Sequence, residues 1–392
     1  MFVGTGLVAG AEELKIISFT PGNDELVFRT ADSGTVHHNY RVEAATSLVA
    51  AAWSMQRTVV GIGAAVSVTN SMTTNAPSMF YRVVATSNSA TFVDGPYMSV
   101  DISGGTNAVN YPVIYYSTKS GVPGSANSDI YKTDKILLRL IPKGSFTAGR
   151  RSTDYPGASD SGLTTGVLSK DFYMGVFEVT QRQWELVMGN NPSFFNNSSY
   201  YATHPVEHVS YYDIRENAMS NSDDPAVEWP NNSAVNAASF MGKLRAKTGL
   251  STFDLPTDSQ WEYACRAGTT TALNTGYNLT NTQSDSCLDL AGRYWYNVPE
   301  IYDSDQSAYI LEGTAKAGSY LPNAWGLYDM HGNVWEWCLD WYNYPGFEGR
   351  YRVIRGGFWG SSAQSCYSAH WSDYTPDERN DFFGFRLAMT LP

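Results

Sequence analysis

The chain has 392 residues, a formal net charge of −12 and a pI near 4.9. An acidic balance of that size leaves no broad cationic surface to hold nucleic acid or anionic lipid, and no stretch approaches the roughly 18 uninterrupted apolar residues of a membrane-inserted helix. With 43% hydrophobic and 14% aromatic residues, the sequence describes a globular protein of about two or three domains.

Residues 1–12 carry a small-residue apolar run without a basic flank, which predicts a trimmed leader remnant or a disordered start on an exported protein. Residues 13–104 alternate apolar and polar positions in short runs, "ELVFRT", "NYRVEAA", "AVSVTN" and "MFYRVVA", between the turn clusters "PGND" and "ADSG". Strands at this spacing predict a small all-β antiparallel sandwich, loosely similar to the immunoglobulin or fibronectin type III modules that precede exported bacterial domains. Residues 105–135 are rich in Gly, Ser, Asn and Pro without sustained periodicity, so they read as a linker with at most one strand. A second domain is expected over 136–392.

Within it, "EVTQRQWELVMGNNP" predicts a helix: Thr180 and Gln183 form a capping box, Trp184, Val187 and Met188 share a face, and Gly189 with Pro192 ends it. "LPTDSQWEYACRAGT" repeats the logic, with Thr257 and Gln260 capping and Trp261, Ala264 and Cys265 on one side; "SAVNAASFMGKLRAKTG" is a third amphipathic stretch. "GLYDMHGNVWEWCLDWY" is different. Its alternation predicts an extended segment with Trp335, Trp337 and Leu339 on one face and Val334, Glu336 and Cys338 on the other. A carboxylate in so aromatic a strand is expensive to bury unless it meets a cation. The four cysteines, Cys265, Cys287, Cys338 and Cys366, form no CxxC pair. They fit either disulfides in an exported protein or reduced core thiols.

The blocks "MGVFEVTQRQWELVMG", "HPVEHVSYYD", "LPTDSQWEYACRAGT", "NAWGLYDMHGNVWEWCLDWY", "RVIRGGFW" and "GFRLAM" occur in one order over residues 136–392. Together they resemble the formylglycine-generating-enzyme (sulfatase-modifying factor) domain, a C-type-lectin-like fold. The resemblance implies an α+β domain with little regular secondary structure and a structural calcium ion. Matched residue by residue, "GNVWEW" makes the side chains of Asn333 and Glu336, with backbone carbonyls near Gly332 and Val334, candidate ligands, hard oxygens of the kind calcium takes. The alternative is that Glu336 pairs with Arg355 or Arg386 and Asn333 makes a tight turn. The family's other calcium site is not legible in "CLDLAGRYWYN".

Members that oxidise a sulfatase cysteine use two cysteines between the Gly-Gly turn and the "TPD" stretch to bind copper and engage the substrate thiol, soft ligands for a soft metal. Here the interval "FWGSSAQSCYSAHWSDY" has one cysteine. Cys366 stands where the family has a structural cysteine, partner to the one in "EYACR", so the resemblance implies a Cys265–Cys366 bridge or two neighbouring buried thiols, and no copper site. His204 and His208 flank Pro205 in an extended segment and make no helical zinc pair, and "GTGLVAG" and "GIGAA" lack the strand-turn-helix context of a nucleotide loop. His331 reads as a packing residue, and "WSD" at 371–373 is only superficially like a sugar-binding lectin motif. Nothing assembles a nucleophile, base and oxyanion donor, and a non-catalytic protein is expected.

In residues 352–389 the family frame is kept by "RVIRGG" with Trp359, Ala363, Cys366, Ala369, "TPDER" and "GFRLA", while Phe358, Gly360, Ser361, Ser362, Ser365, Tyr367, His370, Trp371, Ser372, Asp373, Tyr374, Asp381, Phe382 and Phe383 depart from it. Clustered departures of this kind resemble the variable proteins of diversity-generating retroelements, which display a randomised C-terminal segment on this same scaffold. In those systems adenines are mutated, typically in Asn AAC codons, which can yield Gly, Ser, Tyr, His, Asp and Phe. Trp371 alone falls outside that set, and an Arg AGG codon reaches Trp by one adenine change. Rigid aromatics with adaptable Ser, Gly, Asp and His are also what antibody paratopes use. The sequence thus predicts a ligand-binding protein at a bacterial or phage-encoded cell surface, with a protein or glycan as ligand; Tyr367, His370, Trp371, Asp373, Tyr374 and Phe382 should point outward together.

Overall fold

A computed structural model describes residues 96–196, 201–216, 231–302, 309–311, 313–343 and 345–391, together with the backbone of six earlier strands. The expected leader over 1–12 and the glycines of "GTGLVAG" and "GIGAA" lie outside the described residues. The chain divides into two compact units, Met1–Val93 and Asp94–Pro392.

In the first unit the alternating runs form strands β1 (Lys15–Thr20), β2 (Glu25–Arg29), β3 (Asn39–Ala45), β4 (Ser54–Val60), β5 (Ala65–Thr69) and β6 (Phe80–Thr86). They pair antiparallel in two three-stranded sheets, ordered β1-β2-β5 and β4-β3-β6.

The second unit opens with β7 (Tyr97–Asp101) and β8 (Val113–Tyr116). Then come β9 (Lys135–Ile141), the hairpin β10 (Gly144–Arg150) and β11 (Ser161–Leu168), β12 (Phe172–Gly175), β13 (Phe253–Asp254), and the short hairpin β14 (Glu300–Tyr302) and β15 (Tyr309–Leu311). The last third supplies β16 (Trp335–Trp341), β17 (Arg352–Arg355), β18 (Trp371–Tyr374), β19 (Phe383–Gly384) and β20 (Ala388–Thr390). One six-stranded sheet is ordered β13-β20-β12-β9-β7-β8, and a four-stranded sheet is ordered β18-β17-β16-β19.

The boundary expected at residue 104 and the linker expected over 105–135 both give way. β7 pairs with β9 through Tyr97↔Arg139 to Asp101↔Lys135 and so belongs to the second unit's sheet. Tyr111, Val122, Ala126 and Tyr131 are buried, and the Tyr111 N–H donates to the Lys247 carbonyl at 2.8 Å. A Gly/Ser/Asn/Pro composition reports irregular backbone, not absence of packing, because turns satisfy their amides locally and still carry aromatic anchors inward.

The helices start where their caps predict. α1 (Gln181–Met188) has the Thr180/Gln183 capping box and ends at Gly189, φ 91°. After the short α2 (Tyr211–Ile214), α3 (Phe240–Thr248) begins only after Ser239 caps it, later than the amphipathic stretch suggested. α4 (Asp258–Arg266) has the Thr257/Gln260 box. Trp184 of α1 stacks on Phe240 of α3 at 5.3 Å and meets Phe385 edge-on, joining both helices to the main core. β16 separates two cores as its alternation predicts. Trp335 and Trp337 enter the core of Trp184, Phe240 and Phe385, whereas Cys338 enters the one around Trp261 and Met330.

Candidate ligand-binding site

The last segment is held from beneath by buried charge pairs. Arg352 lies between the rings of Tyr211 and Trp341 and pairs with Glu216 at 3.2 Å. Arg355 binds Asp258 and, at 3.1 Å, Glu262 of α4, and donates to the carbonyls of Ser368 and His370. Arg386 reaches both oxygens of Glu336, the closest contact being 2.6 Å, and donates to the carbonyls of Gly175 and Tyr328. The Gly-Gly turn is dictated by contact: both glycines have positive φ, and a Cβ on Gly357 would lie 2.6 Å from the Cys366 sulfur. These are the frame residues of the sequence, and burial explains each.

The departures divide by position. Trp371 is 42% exposed, and Phe358, Gly360, Ser362, Ser365, His370, Ser372, Asp373, Tyr374, Asp381 and Phe382 are half-buried. Phe358, His370 and Phe382 gather round Trp335: Phe358 lies 4.6 Å from Phe382, and His370 lies 5.6 Å from Trp335. Tyr374 adjoins them through Phe383, at 4.7 Å. On β18 the period of two sends Ser372 and Tyr374 to this side, and Trp371 with Asp373 to the other, where Trp371 meets Tyr342 at 4.9 Å. The site is therefore a rim around the edge strand β18, with aromatic rings on both sides.

Three candidate site residues are buried, one of them, Tyr367, among the six expected to point outward together, and the other five do not share one face, since Trp371 and Asp373 lie across β18 from Tyr374. Tyr367 is buried against Tyr155 and His370, and burial pushes its hydroxyl up to about 12. Phe383 is fully buried, because β19 pairs in parallel with β16 and sets its ring on Trp337. Ser361 is buried and builds the loop, its Oγ accepting the Phe358 N–H at 3.1 Å. Trp359, expected in the frame, is half-buried at the rim, and Phe194 and Phe195, not among the expected site residues, extend it: Phe195 meets Trp359 at 5.4 Å, and Phe194 is 69% exposed. The doublet Phe194–Phe195, just after a helix-ending Pro192, was the available signal.

Burial and the nearby Arg355 and Arg150 push His370 down to about 4, so its ring is neutral at physiological pH. Burial raises the carboxyls of Asp373 and Asp381. Glu207 underpins the rim from one side. It accepts the backbone N–H groups of Phe194 at 3.0 Å and Phe195 at 2.9 Å, and burial pushes it up to about 7 despite them.

The expected calcium ligands do not fit a calcium ion as they stand. Both Glu336 oxygens are taken by Arg386, and one also accepts the Trp261 indole N–H at 2.6 Å. The Asn333 side chain accepts the Ala315 N–H at 2.7 Å and donates to Glu178 at 2.6 Å, while the Val334 N–H also donates to Glu178. Asn333 has φ 70°, a tight turn. A cation here would have to displace the guanidinium, so the arginine alternative is the one realised. Of the bridge and the buried thiols left open for Cys265 and Cys366, the structure has the second: both are free and buried, pushed up to about 12 by burial. Cys366 packs under Gly357, and the His331 ring sits 3.9 Å from the Cys265 sulfur while facing the Cys366 carbonyl at 2.7 Å.

Mixed sheets, few helices and long irregular segments tied down by buried ion pairs define a C-type-lectin-like domain of the formylglycine-generating type. The family model of the "Sulfatase-modifying factor enzyme 1-like domain" matches residues 131–391, and the chain belongs to that family. The chain is 33% identical over 245 residues to "Chaperone protein LppX" of Paenibacillus barcinonensis, covering 58% of this chain and 80% of that protein. It is 26% identical over 320 residues to the formylglycine-generating enzyme of Mus musculus, covering 70% and 80%. Other curated relatives are longer, and the chain spans only 24% or 38% of them. Among solved structures, Treponema denticola variable protein 1 is similar at 26% identity and TM-score 0.47, over 66% of this chain and 96% of that one. Among the described residues no helix is long and apolar enough to cross a membrane.

Proposed function

We propose that the protein is a non-catalytic binding protein whose C-terminal rim is a diversified ligand site of the retroelement type. The carrying observation is positional. Phe358, His370, Phe382, Tyr374 and Trp371, all departures from the family frame, are half-buried or exposed around β18, while the frame's Arg352, Arg355, Gly356, Gly357 and Arg386 are buried. Partly exposed rings in this density are what binding surfaces use, and a soluble monomer otherwise avoids them. The ligand is a protein or glycan on another cell or surface, and the protein works outside the cell. The first unit is an immunoglobulin- or fibronectin-like spacer, a reading supported by the strand orders β1-β2-β5 and β4-β3-β6, which follow the A-B-E and C′-C-F arrangement of such sandwiches.

The test is genomic and direct: a neighbouring reverse transcriptase gene, and a near-copy of the coding sequence for 352–389 that differs only at adenines. Absence of both removes the retroelement part. The competing reading is an oxidase of the formylglycine-generating type, to which the mouse relative's name points. Against it stand thiols at Cys265 and Cys366 that burial keeps protonated, poor nucleophiles and poor soft-metal ligands. Oxidation of a cysteine peptide by the purified protein with copper would overturn the non-catalytic reading.

A further inference from the structure

Residues 352–389 contain Arg352, Arg355, Arg379 and Arg386 against Asp373, Asp377, Glu378 and Asp381, formally neutral apart from His370. Folding separates the two signs. Arg352, Arg355 and Arg386 are buried and bound to Glu216, to Asp258 and Glu262, and to Glu336. Arg379 is bridged to Asp213 at 2.7 Å. The four acids stay at the surface, Asp377 and Glu378 exposed and Asp373 and Asp381 half-buried, and none makes an ion pair among the described residues.

Two of these acidic residues adjoin ring-bearing residues in the fold. Asp373 shares a β18 face with Trp371, whose ring lies on Tyr342. Asp381 precedes Phe382, its backbone carbonyl accepts the Trp359 indole N–H at 3.1 Å, and burial raises its carboxyl while the His208 ring favours the charged form. His370, neutral at physiological pH, adds no positive charge. A half-buried carboxylate next to an aromatic face offers a guanidinium or ammonium both an ion pair and a cation–π contact, and desolvation by a partner strengthens each.

We propose that the rim takes a basic polypeptide segment, an arginine or lysine side chain entering beside Asp381 or Asp373 and lying on the neighbouring rings. The inference rests on the binding-site reading and adds the ligand's chemistry: a neutral glycan would leave these carboxylates unpaired, and an acidic ligand would be repelled.

The experiment titrates the purified chain with a soluble arginine–glycine–serine repeat peptide and with its glutamate–glycine–serine counterpart, following tryptophan fluorescence at low and high salt. Expected is binding of the arginine peptide only, weakened about fivefold by Asp373→Asn or by Asp381→Asn, a change worth about 1 kcal/mol. Asp134→Asn, beside β9, controls for general attraction to an acidic protein and should change nothing. Equal binding of the two peptides, or an affinity untouched by both rim substitutions, overturns the inference. Selection from a library randomised at Phe358, His370, Trp371 and Phe382 separates the failures. If it yields rim-dependent ligands that are not basic, only the cationic preference falls; if it yields none, the binding-site reading falls with it.

Discussion

Arg355 and Trp371 are partners across the β17–β18 pair. Yet Arg355 is 2% exposed and held by Asp258 and Glu262, while Trp371 is 42% exposed and touches Tyr342. The same contrast recurs at Arg386 against Phe382, Gly357 against Gly360, and Cys366 against Ser365, and breaks at the buried Ser361, Tyr367 and Phe383 and at the exposed Asp377, Glu378 and Arg379. It teaches that the fold's demands fall on separate residues from the rim. If that separation is real, substitutions in the two groups should differ in stability by several kcal/mol although they lie a few positions apart.

The largest effect is expected at Arg386. Replacing it by Met leaves Glu336 buried with the Trp261 indole as its remaining side-chain donor, and breaking one half of a buried pair costs about 3–5 kcal/mol. Urea unfolding of the variant should show that loss, and a loss below about 1 kcal/mol would mean the frame is less constraining than its geometry.

Glu207 stands between the two groups, a buried acid that holds the Phe194–Phe195 end of the rim. Its carboxyl is raised by burial from 4.5 to about 7, with the nearby Asp381 adding to the rise. For an acid raised in the folded state, the unfolded chain ionises first. The contribution of Glu207 to stability is therefore highest below about pH 4.5, falls as pH rises through the window up to about 7, and levels off above it. The span is worth roughly 3 kcal/mol; the raised Glu178 and Asp329 push in the same direction, while His204, His331 and His370, pushed down to about 4 by burial, push the other way below about pH 6.5. Because these opposing titrations overlap, the Glu207 contribution is read as the difference in urea midpoint between wild type and Glu207→Gln, which should shift against wild type across the window with the slope of one proton. A constant difference would place the titration elsewhere.

Gly357→Ala comes next, at about 2–3 kcal/mol, from a left-handed φ of 81° and the contact with Cys366. The double variant with Cys366→Ala should regain only the part due to the sulfur, because the Ser365 carbonyl oxygen would still lie 2.6 Å from the new Cβ and the backbone strain would remain. Full recovery would show that strain in φ contributes nothing there.

Much of this frame could be read beforehand because it is local. The capping boxes of α1 and α4, the alternation of β16 and the Gly-Gly turn each depend on neighbours a few residues away. The choice of partner for Glu336 depends on Arg386, which returns only through the β16–β19 pairing, so sequence left calcium and arginine open. The irregular loop from 358 to 370 was illegible for a related reason. Its course is fixed by remote groups, Ala363 and Gln364 donating to the carbonyls of Gln283 and Thr282, and Ser368 to that of Ala272. No periodicity reports which way such a loop turns Ser361 or Tyr367. Phe383 failed differently, since a Phe-Phe doublet gives no sign of which ring enters the core.

The smallest effect is expected at the rim, and it is the sharpest test of the contrast. Trp371→Ser, Ser372→Asn and Asp373→Asn touch no buried ion pair; Trp371 loses its contact with Tyr342 and Asp373 loses only a carboxylate that burial already disfavours. Each should change stability by less than about 0.5 kcal/mol. Phe382→Ser should exceed that bound, because its ring packs on Phe358 and Phe383 at 4.6 Å each. A rim that varies freely at β18 but resists change at Phe382 would mean that the randomisable surface is narrower than the set of departures. Ligand contacts would then be carried by the strand edge, with Phe358 and Phe382 serving as a fixed aromatic floor beneath it.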